Sequence, residues 1–184
     1  MSIRLSLIPH PDFPCALERI DAEVSWGAGD GGARTLHVRF VAQGADELVV
    51  PAAQAPSRTD GLWQTTCFEL FLRPRQGESY VEFNFSPSGQ WAAYGFDGYR
   101  AGMHDLELRG NPRVKSERMG DDFGLEVELD LAGVSPELCR MSLSAVIEAR
   151  DGRKSYWAIA HPPGKPDFHH PDCFARELPA PERA

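Results

Sequence analysis

The stretch Ser79–Phe96, SYVEFNFSPSGQWAAYGF, alternates apolar and polar residues and is broken once, at Pro-Ser-Gly. Val81, Phe83 and Phe85 fall on one side of the first run, and Tyr80, Glu82, Asn84 and Ser86 on the other. A period of two is that of an extended strand. Pro, Ser and Gly between two such runs make a tight turn, so the stretch reads as a β-hairpin. The run before it, TCFELFLRP (66–74), puts Cys67, Glu69 and Phe71 on one face. Two carboxylates therefore stand mid-strand among aromatics. An apolar core would exclude them, because a buried carboxylate needs a partner. Their face is either a solvated surface or the wall of a polar cavity, and periodicity leaves both readings open.

The same period extends along the chain: IDAEVSW (20–26), TLHVRFVA (35–42), ELVV (47–50), RVKSERM (113–119), FGLEVELDL (123–131), MSLSAVIEAR (141–150) and KSYWAIA (154–160). GDD (120–122) and DGR (151–153) separate neighbouring runs as turn residues do. One short helix fits, SPELC (135–139), with Ser135 as N-cap and Pro136 at its first position. Strands without crossover helices predict an all-β fold, an antiparallel β-sandwich (immunoglobulin- or jelly-roll-like) of about ten strands with at most one short helix. We expect one domain over 1–178 and a frayed tail over 179–184. GAGDGGAR (27–34) is Gly-rich, but a phosphate loop needs a helix after it and a strand follows, so it reads as a hairpin loop.

Composition narrows the function classes. The 184 residues carry a net charge of −8, which opposes nucleic-acid and anionic-membrane partners. No apolar run approaches the ~20 residues of a membrane span. The N-terminus, MSIRLSLIPHPDFPC, is cut by three prolines and lacks a signal peptide's apolar core, so a cytoplasmic location is expected. Cys15, Cys67, Cys139 and Cys173 are widely spaced and read as free thiols. No nucleophile elbow, zinc-protease helix or dinucleotide fingerprint occurs, so a non-catalytic role is expected.

Candidate ligand-binding residues follow from residue type and face. Glu69, Glu82 and Asn84 supply polar groups, while Phe71, Tyr80 and Trp91 supply rings on neighbouring positions. That mixture suits a ligand with polar rims and apolar faces, as a sugar has. Trp63, behind the Asp60-Gly61 turn, is either a stacking platform or a core plug. Arg58 and Arg150 either pair with carboxylates or fork onto a ligand. The run AHPPGKPDFHHPDCF (160–174) is too Pro-rich for a central strand. Its Lys165 and His169 would close over a pocket as donors. Adjacent His169 and His170 seldom share one tetrahedral metal site, and no metal is expected there.

The blocks DGLWQTTCFELFLRP and YVEFNFSPSGQWAAYGF carry a resemblance to the DOMON-like ligand-binding domains, which are similar to carbohydrate-binding module family nine. The likeness is strongest to a small bacterial single-domain branch sometimes labelled MurB-like, and YWAIAHPPGKPDFHHPDCF fits that branch too. The resemblance implies a β-sandwich with a ligand site on its concave sheet, where rings sandwich a sugar and polar groups bond its hydroxyls. Trp63, Glu69, Glu82, Asn84 and Trp91 fall in the matching strands. Relatives bind sugars or haem, some with calcium. The expectation is a small-molecule ligand, a carbohydrate, with no cofactor. The alternative is a b-type haem-binding electron-transfer domain, with Met and His as axial ligands.

Overall fold

The computed structural model describes residues 2–15, 17–28, 34–135 and 137–179. Twelve strands run through them: β1 (Ser2–Pro9), β2 (Arg19–Ala28), β3 (Arg34–Gln43), β4 (Cys67–Pro74), β5 (Tyr80–Phe85), β6 (Trp91–Phe96), β7 (His104–Asp105), β8 (Arg113–Met119), β9 (Asp122–Asp130), β10 (Leu138–Glu148), β11 (Lys154–Ala158) and β12 (Arg176–Glu177). Every pair of these strands is antiparallel. The strand order is β7-β6-β5-β4-β10-β11-β1-β2-β3-β9-β8, and β12 pairs with β10.

That long sheet is folded on itself at β1. Residues Ser2–Leu7 pair with β2, while Ile8 and Pro9 pair with Ala158 and Trp157 of β11. A first layer, β1-β2-β3-β9-β8, thus faces a second, β7-β6-β5-β4-β10-β11. The alternation read from sequence sets what lies between them. Ile20, Leu36, Phe40 and Leu125 from the first layer meet Phe68, Leu70, Phe83 and Trp157 from the second, all at most 1% exposed. Phe40 and Phe68 meet with ring centroids 5.0 Å apart. Each such side chain contributes roughly 1.5–3 kcal/mol by leaving water. The fold is the expected all-β sandwich.

The second layer is also covered on its outer face. Leu62, Phe71, Tyr80, Phe96, Phe168 and Phe174 belong to a separate apolar cluster there. Consequently β4 is buried on both faces from Cys67 to Leu72. The cover comes from the Pro-rich segment after β11 and from the turn of 3-10 helix Leu62–Gln64.

Several local expectations hold and others need correction. The Pro-Ser-Gly turn joins β5 to β6, with Gly89 at φ 92 and Ser86 N–H donating to Gln90 O at 2.9 Å. Of the expected 27–34 loop, Gly27 and Ala28 pair as the end of β2 and Arg34 as the start of β3, while residues 29–33 lie outside the described residues, as do 180–184 of the expected tail. Pro179, assigned to that tail, accepts a bond from Trp26 Nε1 at 2.5 Å. ELVV is not a strand: only Leu48 bridges to Ala149 before Pro51 removes a donor. No helix forms at 135–139 among the described residues. Pro136 lies outside them, Glu137 is a turn residue, and β10 begins at Leu138. A single helical turn is weakly stable by itself, and pairing of β10 with β4 prevails, with a register shift between Leu138 and Arg140. β1, β7 and β12 are strands that the periodicity left unassigned.

Candidate functional site

On the outer face of the second layer, register sets the site. One cross-strand row is Ser144, Glu69, Asn84 and Ala92; the next is Ser142, Phe71, Glu82, Tyr94 and Asp105. Glu69 and Glu82 are therefore diagonal neighbours, and they sit in the floor of an open cleft of about 860 Å³. Trp63 and Met103 stand exposed at its rim, at 55% and 59%. Phe96, Tyr156 and Phe168 form the walls.

Both carboxylates are buried, Glu69 at 3% exposure and Glu82 at 6%. Ser144 Oγ donates to Glu69 Oε2 at 2.8 Å, and Asn84 Nδ2 donates to Glu82 Oε1 at 2.7 Å. Among the described residues no hydrogen bond reaches the second oxygen of either group. Burial raises the pKa of Glu69, and the neighbouring Glu82 carboxylate raises it further, against the Ser144 bond. Burial likewise raises Glu82, opposed by Asn84 and the more distant Arg100. Two like charges in one desolvated floor are disfavoured, so the pair retains a proton near neutral pH.

The third polar group is His169, from the segment that covers the sheet. Burial lowers its pKa to about 4, and the Arg100 charge lowers it too. It is neutral at physiological pH, so its 3.8 Å approach to Glu82 Oε2 is not an ion pair. Tyr80 OH accepts from the Arg100 backbone N–H at 3.2 Å and stands 2.7 Å from His169 Nδ1. With the hydroxyl donating to Nδ1, the proton of the neutral ring would lie on Nε2, toward Glu82. Arg100 holds a left-handed φ of 52 and commits its guanidinium to Asp167 at 2.8 Å. Asp60, on the rim, accepts from Tyr94 OH at 2.6 Å.

Of the residues expected to bind ligand, Trp63, Glu69, Phe71, Glu82 and His169 line this cleft together. Asn84 lies beneath, 1% exposed, orienting Glu82. Trp91 does not belong. It pairs with Phe85 and shares the inner face, 3% exposed in the inter-layer core. Arg58 is structural: it donates to Ala93 O at 2.9 Å and Leu106 O at 2.6 Å, its guanidinium 4.9 Å from the Trp91 ring centroid. Arg150 is an exposed turn residue beyond β10, and Lys165 is exposed outside the cleft lining. The histidines of the covering segment scatter: His161 bonds Ile8 O and His170 accepts from Asp172 N–H. Among the described residues no three His, Cys, Asp or Glu side chains come together to hold a metal.

Sequence reasoning missed Tyr94, Phe96, Arg100, Asp105, Tyr156 and Phe168. Tyr94 and Phe96 carried a usable signal. Counting across the Pro-Ser-Gly turn sets Phe85 opposite Trp91, which sends Trp91 inward and Tyr94 and Phe96 outward.

No protein-family model matches the chain, and no curated protein matches it in sequence. Its fold is shared with the crystal structure of a "putative carbohydrate-binding protein" from Bacteroides uniformis. The TM-score is 0.61 at 13% identity, over 94% of this chain and 83% of that one. At that identity the likeness concerns the fold. Fold and site together define a β-sandwich protein with a polar-floored, aromatic-walled cleft on one outer face. Among the described residues no helix is long and apolar enough to cross a membrane.

Proposed function

We propose that the cleft binds a small polar ligand of the carbohydrate type without transforming it, as a DOMON-like domain similar to carbohydrate-binding module family nine. The observation that carries this reading is the floor itself: two buried carboxylates, each with an unbonded oxygen, beneath aromatic walls and an exposed Trp63. Sugar hydroxyls donate to such oxygens while C–H faces lie on rings. The description of the Bacteroides structure supports it at the level of fold. Trp63→Ala tests the reading, since Trp63 is exposed and its loss leaves the fold intact. With a saccharide panel, calorimetry on the wild type should show binding that weakens about tenfold in the variant. No heat with any saccharide, from a folded wild type, would remove the carbohydrate reading.

The haem alternative fits this floor poorly. Met103 and His169 both line the cleft, but a haem is a largely apolar ring bearing its own carboxylates, and Glu69 and Glu82 would oppose it. A Soret band after haem addition would reverse that judgement.

A further inference from the structure

We propose that the ligand carries a protonated amine seated against Glu69 and Glu82, as an amino sugar would. The sugar part of this inference rests on the reading above; the amine part stands on the site's charges. The cleft lining contains four carboxylates, Asp60, Glu69, Glu82 and Asp105, and one permanent cation, Arg100; Arg58, behind the lining, stands 3.7 Å from Asp105 and offsets that one carboxylate. Arg100 is committed elsewhere, at 2.8 Å from Asp167 Oδ1. Glu69 and Glu82, the two buried carboxylates, have no Lys or Arg nitrogen within 4.0 Å among the described residues, and His169 beside them is neutral.

A neutral sugar would satisfy hydrogen bonds but bring no charge, so the pair would keep its shared proton. A primary ammonium supplies three donors and a charge in one group. Such a group would bridge Glu69 and Glu82, which are diagonal neighbours across β4 and β5. The surrounding rings suit it as well, because aromatic faces attract a cation desolvated beside them. Apart from the more distant Arg100, whose charge is felt at Glu82, the groups facing the pair add no competing positive charge. Cys67, Tyr80 and Tyr94 are all held protonated and neutral, burial being the leading cause for each. Asp60 adds negative charge at the rim, whereas Asp105 is offset by Arg58 at 3.7 Å.

Binding of an ammonium should eject the proton that the pair shares, because the added charge makes both carboxylates favourable as anions. This gives a readout that a merely structural pair would not move.

The test is calorimetry of the full chain with glucosamine, glucose and N-acetylglucosamine near neutral pH, repeated in buffers of different ionisation heat. Wild type should bind glucosamine at least about tenfold more tightly than either neutral sugar, as one charge-assisted contact predicts. The apparent heat should vary with buffer, reporting proton release. Glu69→Gln and Glu82→Gln should both fold, since each removes a repulsion, and should erase the margin and the buffer dependence. Equal affinity for all three sugars would overturn the amine and leave the carbohydrate reading standing. Binding of cyclohexylamine and glucosamine alike, with no binding of glucose, would support the amine and remove the sugar. No binding of any of these probes to folded wild type would overturn the proposal.

Discussion

The two outer faces of this sandwich solve the same problem in opposite ways. On the first layer one cross-strand row reads Arg4, Glu23, Arg39, Glu126 and Lys115, alternating in sign over five strands. Ion pairs there span 3.2 Å at Arg4–Glu23 and at Arg39–Glu126, in water. On the second layer the rows hold Ser144, Glu69, Asn84 and Phe71, Glu82, Tyr94, with no cation opposite either carboxylate. A solvated sheet face is arranged for neutrality with itself. The second face is covered, acidic and incomplete, and the difference lies in what stands opposite each carboxylate.

The largest way to break the comparison is Phe71→Ala. If the outer face of the second layer is a packed layer, removing a ring that is 1% exposed should cost about 3–5 kcal/mol. Urea unfolding measures it, and a loss below about 1 kcal/mol would return that face to ordinary surface. Next comes Arg58→Ala, which strips two carbonyl partners and the contact with Trp91. We expect about 1.5–3 kcal/mol of destabilisation, with little rescue by Arg58→Lys because an ammonium lacks the planar fork. Full stability in Arg58→Ala would reopen a ligand role for this residue.

How much of this was legible in sequence depends on the range of the interaction. Local order was readable: alternation and the Pro-Ser-Gly turn placed Glu69, Glu82 and Asn84 on one face of adjacent strands. Burial of that face was not, because much of its cover comes from residues 160–174, some eighty positions away, whose Phe168 and His169 follow no period. Trp91 misled because its face follows from counting through the turn, not from its being aromatic beside aromatics. Arg58 and Arg150 were ambiguous by nature, since an arginine donates equally well to a carbonyl or a ligand. β1 changes partners between Leu7 and Ile8, a tertiary choice that leaves no local mark.

A third prediction sharpens the electrostatic contrast. The folded Glu69 carboxyl keeps its proton above the ordinary value of 4.5. Above that value the folded chain binds more protons than the unfolded one, so stability falls as pH rises toward neutrality and beyond. Below it both states are protonated and the penalty vanishes. Glu69→Gln should therefore stabilise the chain by about 1–2 kcal/mol near pH 8 and leave it unchanged near pH 4. Denaturant midpoints across that range check it, and destabilisation at the upper end would mean that an internal cation already pairs with the group.

The smallest effect is expected on the opposite face, at Arg39→Ala. Its partner Glu126 is 61% exposed at the side chain, and Arg39 is 51% exposed, so water screens the pair. Exposed pairs contribute about 0–1 kcal/mol. Removing Arg39 does not strand its neighbours, because Glu23 still faces Arg4 and Glu126 still faces Lys115. The expected change is below about 0.5 kcal/mol, shrinking with added salt. Glu69→Gln should be less salt-sensitive, because Glu69 is 3% exposed and its repulsion acts largely through the protein interior. Equal salt dependence of the two variants would make the two faces alike. A persistent difference would locate the distinction in solvent access rather than in the number of charges.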